Sequence, residues 1–453
     1  MEDDALAEEK TQRTVVVDLE TGLLYPGLVW EAIWCWVRLH PLKAFLLPIY
    51  LLRGYIPSEV RNVIASRKLY PALRNDTVAA LKSLKAEGAS LCLVHDDKQA
   101  LAESISLRLG IFDQVSRSVP KEPYAYITTA GNPVHWQDAS EAIIFGEPAD
   151  YTQRYKIKVA VMPKENQSRF SLLVRAIRLH QWAKSTLVFM PIILAHRAME
   201  WNTWLVGLAA FLCFGLVSSS IYVMNDLLDI EADRQHPVKK KRPFASGEMP
   251  LYWGGILYVL LLSVGLWGGY LVSSSVAIAL VGYAISNLVY TIKLKSIPII
   301  DTFVLTSMYI WRLATGAIAV GVSLSGWVYM FCGFFFFSLA QIKRVSELLL
   351  LKEIGDDPRE NRRGYEYRDV PLLTLFGVAS AFLSSGILAI YMDSEGKSQS
   401  FNLWVMNVIS LYWLCRMWLL TWRGKMASDP VKFALRDLTS ISILIGVVGL
   451  WFL

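Results

Sequence analysis

Residues 225–233 read NDLLDIEAD and follow directly on a long apolar run. Three aspartates, Asp226, Asp229 and Asp233, stand three and then four residues apart, with Glu231 among them. On a helix these positions share one face, because such steps lie close to one and two turns. Three carboxylates on one stripe repel each other unless a cation bridges them. Aspartate is short and offers hard oxygen ligands, which suit Mg²⁺, an ion that keeps further positions for water and phosphate. Ionisable groups near a bilayer are costly, so a cluster of them points to a functional site. HPVKKKRP follows at 236–243, placing cations for phosphate beside acids for a metal. Diphosphate chemistry needs that combination. The plain alternative is a solvated helix end.

The rest of the chain supplies the setting. Of its 453 residues 54% are hydrophobic and 19% charged, a balance that a soluble domain seldom shows. From about residue 180 onward, apolar runs of about 17–23 residues alternate with short charged loops, the length needed to cross a bilayer. Nine candidate spans fall at roughly 182–197, 202–224, 251–272, 274–292, 298–321, 325–342, 370–391, 402–421 and 434–453. Lys and Arg concentrate in alternate loops: Arg234 and Lys239 to Arg242, then Lys293 and Lys295, then Lys343 to Arg368, then Arg416 to Lys432. By the positive-inside rule these loops and the N-terminal domain are cytoplasmic. The expected protein is an all-α polytopic bundle of nine transmembrane helices in the inner (plasma) membrane, preceded by a soluble α/β domain. Its net charge of +6 follows from topology and calls for no nucleic acid. Five scattered cysteines without a CxxC pair argue against a zinc site and a disulfide framework. The acidic start, MEDDALAEEK, does not read as a signal peptide.

In the first domain, residues 1–165, TVVVDLETGL at 14–23 reads as a buried parallel strand feeding a loop. ASLCLVHDD at 89–97, AIIFGEPAD at 142–150 and KIKVAVMP at 156–163 read likewise, with helical stretches between them. This alternation predicts a parallel sheet. LHPLKAFLLPIYL at 39–51 is too short for a span and reads as a helix of a cap region. The pattern resembles the haloacid-dehalogenase-like phosphatase superfamily, whose first motif is DxDGT. Here DLETG keeps Asp18, puts Glu20 in place of the acid and reverses the Gly–Thr order. The second strand ends in LVHDD instead of a Ser or Thr, and the last acidic motif reads GEPAD, with Asp150. A phosphoaspartate route needs a nucleophile, a proton donor and a cation. The resemblance therefore implies a degenerate phosphatase site at Asp18, Glu20 and Asp150 in a domain that serves as an appendage. A phosphatase acting on the membrane domain's product is the alternative.

The stretch from Asn225 through Asp233, Lys239, Arg242-Pro243, Ala245 and Gly247 resembles the first motif of the UbiA-type intramembrane prenyltransferase superfamily, NDxxDxxxD followed by a basic RP element. The resemblance covers residues 170–453. It implies a helical bundle with a central cavity, a Mg²⁺-bound diphosphate substrate near the cytoplasmic face, and lateral access for a lipid. Members that act on aromatic acceptors carry a second Asp-rich motif in a later loop. Here KLKSIPIIDTFVL at 293–305 holds Asp301 alone. The chain looks more like the decaprenyl-phosphate phosphoribosyltransferase branch, whose donor is phosphoribosyl diphosphate and whose acceptor is a polyprenyl phosphate. RLHQWAK at 178–184, IKRVSELLLL at 342–351 and RRGY at 362–365 fit that branch.

Phosphate count supports the same reading. A donor with a 5-phosphate and a diphosphate, and a phosphate acceptor, need more cations than Mg²⁺ supplies. Lys184, Lys239, Arg242, Lys293, Lys295, Lys343 and Arg344 are the candidates, all at span ends or loops. Asp226, Asp229 and Asp233 would hold Mg²⁺, and Asn225 a phosphate or a metal-bound water. Asp301 would contact ribose or act as a second acid, while Glu347 would orient a neighbouring cation or a ribose hydroxyl. The branch suggests a homo-oligomer. The competing enzyme is a UbiA-type prenyltransferase that moves a prenyl chain to an aromatic acceptor. A transporter would show ionisable or Gly/Pro-broken sites near the bilayer midplane, whereas here charge sits at span ends.

Overall fold

The computed structural model describes residues 13–40, 43, 47–64, 69–121, 123–128, 139–145, 158–162, 168–236, 238–355, 363–394, 401–426 and 429–452. By contacts the chain divides into two compact units. One comprises Met1–Arg178 with Tyr222–Val259, and the other Leu179–Ile221 with Leu260–Leu453.

The first unit contains a six-stranded, fully parallel sheet: β1 (Thr14–Asp18), β2 (Ser90–Val94), β3 (Gln114–Ser116), β4 (Tyr124–Thr128), β5 (Glu141–Phe145) and β6 (Lys158–Met162). Their order is β3-β2-β1-β4-β5-β6. The order reverses between β1 and β4, and in open α/β sheets the crevice beyond the strand ends at such a reversal is where ligands bind. β1 is the centre because its β-branched run has two apolar faces. Val15 and Val17 pack with Leu91, Leu93 and Ile105, while Val16 packs with Cys92, Tyr124 and Tyr126 on the other face. Burial on both faces is what parallel strands require. The four strands expected from sequence are present. β3 and β4 are additional: β3 has only 3 residues, and β4 is built of alternating tyrosine and small or β-branched residues instead of an aliphatic run. The 39–51 stretch contributes the short helix Leu47–Leu52.

Among the described residues, six helices are long and apolar enough to cross a membrane: Trp201–Leu228, Leu251–Val272, Ser274–Ile292, Ile300–Val320, Tyr367–Ser394 and Phe401–Trp422. The three other expected spans look different. The 325–342 run lies in the 29-residue helix Gly326–Ile354, whose second half carries Lys343, Arg344 and Glu347. The 434–453 run contains the shorter apolar helix Leu438–Phe452. The 182–197 run is not one α-helix. It is a 3-10 stretch, Leu179–Phe189, followed by the short helix Met190–Leu194 with Pro191 in its first turn. Proline has no amide hydrogen with which to continue an α-helix through that point.

Small residues let this irregular segment approach its neighbours in the second unit. Trp182 lies against Gly215, and its indole N–H donates to Ser219 Oγ at 2.8 Å. A Cβ at Gly316 would overlap the Val188 carbonyl, which as backbone cannot swing aside. Gly316→Ala is expected to cost about 1–3 kcal/mol through overpacking. The check is a lower midpoint for heat-induced aggregation in detergent, and an unchanged midpoint would show that the segment yields.

Candidate active site

The aspartate segment belongs wholly to the first unit. The Trp201–Leu228 helix gives way at Asp229, and a short helix, Ile230–Gln235, follows. The pitch survives the break: Asp229 N–H donates to the Asn225 carbonyl at 2.9 Å, and Asp233 N–H to the Asp229 carbonyl at 2.9 Å. Asp226 and Asp233, two turns apart, are therefore still on one face, 3% and 2% exposed. Asp229 is half-buried. Among the described residues no three His, Cys, Asp or Glu side chains converge as metal ligands.

Two arginines meet the buried pair. Arg242 Nη1 donates to Asp226 Oδ1 at 3.0 Å and also to Asp233 Oδ2. Arg178 donates from Nε to Asp226 Oδ2 at 3.1 Å and from Nη2 to Oδ1. Its guanidinium lies 5.6 Å from the centre of the Tyr222 ring, and its φ of 52° puts the backbone in the left-handed region. Such a conformation in a non-glycine residue is worth noting at a functional site. Arg242 is placed by the 3-10 turn Lys239–Lys241 before it and by Pro243, which opens the helix Pro243–Ser246. Burial pushes the Asp233 carboxyl above the ordinary carboxylate range, while the charges of Arg242 and Lys239 pull against it.

This arrangement fits a hard divalent cation in kind. One guanidinium nitrogen bridges two buried carboxylates, so the fold already puts a positive centre between Asp226 and Asp233. The donors are oxygens, as Mg²⁺ demands.

A second cluster lies wholly in the second unit. Asp301, in the first turn of Ile300–Val320, is fully buried. Its Oδ1 accepts from Tyr290 Oη at 2.8 Å and Arg344 Nη2 at 2.9 Å, and its Oδ2 accepts from Arg344 Nε. Arg344 Nη1 donates to Glu347, and Arg363 stands 3.9 Å from Asp301 and 3.8 Å from Glu347. Lys184 pairs with Asp429 at 2.5 Å. Burial opposes ionisation of Asp429, but the charges of Lys184 and Lys343 prevail and hold its carboxyl down at about 2. Lys343 lies within electrostatic reach of both Asp429 and Glu347. Lys293 is exposed at the end of Ser274–Ile292, and Lys295 is half-buried in the turn that follows.

Arg178, Tyr290, Arg363 and Asp429 were not singled out from sequence. Arg178 opens RLHQWAK and Arg363 lies in RRGY, so both stretches were visible without their individual roles. Asp429 has the local signature of a helix cap: its Oδ1 accepts from Val431 N at 3.0 Å, and Pro430 follows. In the α/β domain, Asp18 ends β1, and its Oδ1 accepts from Thr21 N at 2.6 Å and Thr21 Oγ1 at 2.8 Å. Glu20 is ion-paired to Lys98. Asp150 lies outside the described residues.

Known proteins resemble much of the chain. The sequence profile described as the UbiA prenyltransferase family matches residues 185–441. The chain is 31% identical over 292 residues to "Nodulation protein NoeC" of Azorhizobium caulinodans, covering 63% of this chain and 94% of that one. It is 28% identical over 269 residues to the decaprenyl-phosphate phosphoribosyltransferase of Mycobacterium tuberculosis, covering 58% and 88%. It is 29% identical over 410 residues to "Uncharacterized protein y4nM" of Sinorhizobium fredii, covering 84% and 78%. Among solved structures, it is similar to a UbiA homolog from Archaeoglobus fulgidus bound to GPP and Mg²⁺. That match has 13% identity and a TM-score of 0.49, over 62% of this chain and 100% of that one.

Proposed function

The chain belongs to the UbiA prenyltransferase family, and from that premise we propose that this multi-pass membrane transferase moves 5-phosphoribose from phosphoribosyl diphosphate to a polyprenyl phosphate, releasing diphosphate. The observation that carries the choice of donor is the condition of Asp301. Both its oxygens are taken by Arg344 and Tyr290, and the 293–305 stretch offers no partner acid for a second Asp-rich set. An aromatic prenyltransferase of the kind weighed above would need such a set. The likeness to a relative named decaprenyl-phosphate phosphoribosyltransferase supports the same choice.

In this reading Asp226 and Asp233 would hold Mg²⁺, with Asp229 as a third acid and Asn225 beside them. The bound metal would offset charge on the leaving diphosphate. Arg178, Arg242 and Lys239 would hold diphosphate oxygens of the donor. Cations aimed at the leaving group stabilise the charge that develops on it. The bond from the anomeric carbon to the diphosphate oxygen breaks, and a bond to an acceptor phosphate oxygen forms. The acceptor is already ionised, so no general base is required. Lys184, Lys293, Lys295 and Lys343 take up phosphates of donor or acceptor, and the Asp301–Arg344–Glu347 group contacts the ribose or braces the residues that do. The N-terminal domain is haloacid-dehalogenase-like with a degenerate site, and it faces the cytoplasm from the inner membrane. The assembly is a homo-oligomer.

The test offers labelled phosphoribosyl diphosphate with polyprenyl phosphate and, in parallel, prenyl diphosphate with 4-hydroxybenzoate, each with and without Mg²⁺. A Mg²⁺-dependent lipid-linked ribose phosphate is expected; label in the aromatic product instead would overturn the donor. Lys343→Met is expected to raise the KM of one phosphate-bearing substrate about ten-fold, the loss of one charge-assisted contact. Unchanged KM values for both substrates would remove Lys343 from the site.

A further inference from the structure

The segment that carries Asp226 and Asp233 is also gripped by the α/β domain, within the same compact unit. Arg234, next to Asp233, forms a two-pronged ion pair with Glu31: Nη1 to Oε2 at 2.8 Å and Nη2 to Oε1 at 2.7 Å. Its other donors go to the Tyr70 carbonyl at 2.5 Å and the Ala245 carbonyl at 3.1 Å. The pair is nearly sealed, with side chains 5% and 12% exposed. Glu31 lies on the Leu28–Leu39 helix, and seven residues on, along the same face, Arg38 pairs with Glu231 at 2.6 Å. Cys35 lies between them; burial and the Glu231 charge push its thiol up to about 11. At the far end of the segment, Gly247 has a φ of 82°, and a Cβ there would overlap the Tyr25 ring. Glu231 and Arg234 thus point away from the metal role, although they lie inside the acidic motif.

We propose that the α/β domain is a positioning element for the acidic segment, with Glu31 as the positioning residue that acts through Arg234. A planar guanidinium held at both prongs and both flanks fixes the rotation of the Ile230–Gln235 helix, and with it the direction of the Asp233 carboxylate. The degraded phosphatase motif then ceases to be puzzling: the domain is kept for its helix Leu28–Leu39, which holds the site's geometry. This inference rests on the reading of Asp226 and Asp233 as the diphosphate site.

The experiment uses the full chain in membranes with Glu31→Gln, Arg234→Met, the double variant, and the charge swap Glu31→Arg with Arg234→Glu. Asp113→Asn, which breaks a surface pair with Lys85 in the same domain, is the control. Glu31→Gln is expected to raise the half-saturating Mg²⁺ concentration and the donor KM about ten-fold, the lower end of what losing a group that orients a metal ligand costs. The acceptor KM should hold. The double variant should be no worse than Arg234→Met, because the Glu31 pair is already lost there, and the swap should recover part of the loss. A second readout needs no turnover: Mg²⁺ with inorganic diphosphate should slow trypsin cleavage at Lys239–Arg242 in the wild type and much less in Glu31→Gln. A fall in active protein with both KM values and the trypsin protection intact would make Glu31 merely structural and overturn the proposal. If neither donor is turned over but trypsin protection still depends on Glu31, the transfer reaction is wrong and the positioning role stands. Absence of protection in the wild type would sink the diphosphate site and the positioning role together.

Discussion

Asp226→Asn leaves transfer at least about 100-fold below wild type at saturating Mg²⁺, the range seen when one preorganised charge at a reacting centre is removed. The amide keeps the shape of the side chain but not its charge. Asp226 is the carboxylate that both Arg178 and Arg242 reach, so the change also strips Arg178 of its charged acceptor and leaves Arg242 with Asp233. Breaking a buried ion pair from one side costs about 3–5 kcal/mol, so loss of activity alone would be ambiguous. The companion variant Asp226→Asn with Arg178→Met removes the surplus positive charge as well. It should restore the amount of monodisperse protein in detergent while transfer stays absent across a Mg²⁺ titration. Asp229→Asn, at a half-buried position outside the bridged pair, is expected to fall between this variant and wild type. Asp226→Asn enzyme within three-fold of wild type would take the acid pair out of the reaction.

The spacing of Asp226 and Asp233 was legible because helical periodicity is a local property, and the i to i−4 bonds carry it through the break at Asp229. Their partners were not legible in the same way. Arg178 lies 48 residues from Asp226, and Arg344 lies 43 from Asp301. No period in the chain records such pairings; only the folded helices bring them together. The sheet shows the same division. TVVVD announces a buried central strand by its β-branched run, whereas the QVS edge strand is too short to have a pattern. Apolar length alone suggested a span at 182–197, but length does not distinguish an α-helix from a 3-10 stretch that ends at a proline. The resemblance of the acidic motif reached further than any of these, since it named a family that the profile match over 185–441 bears out. What it did not reveal is that Glu231 and Arg234, inside that motif, face the α/β domain.

Arg344→Ala should be the most destabilising single change in the second unit, by about 3–5 kcal/mol. Arg344 is 1% exposed and Asp301 fully buried, so neither charge has water to fall back on. Without the guanidinium, Asp301 keeps, among the described residues, only the Tyr290 hydroxyl within hydrogen-bond distance, with Arg363 at 3.9 Å. Glu347 keeps Arg363 at 3.8 Å. Arg344→Lys should recover little, because a compact ammonium cannot serve the two carboxylates that the planar fork reaches together. Arg344→Met with Asp301→Asn removes both charges, and replacing a buried pair this way is often close to neutral. It should return folded protein toward wild-type amounts, measured as the monodisperse fraction and its melting midpoint. The expectation is opposed by a definite alternative. Arg344 was a candidate phosphate ligand, and a ligand of that kind would leave the fold intact on removal and raise the donor KM. Arg344→Ala protein that accumulates normally, melts at the wild-type temperature and binds donor weakly would assign the arginine to substrate. Its donors, directed to Asp301, Glu347 and Tyr290, argue for the bracing role instead.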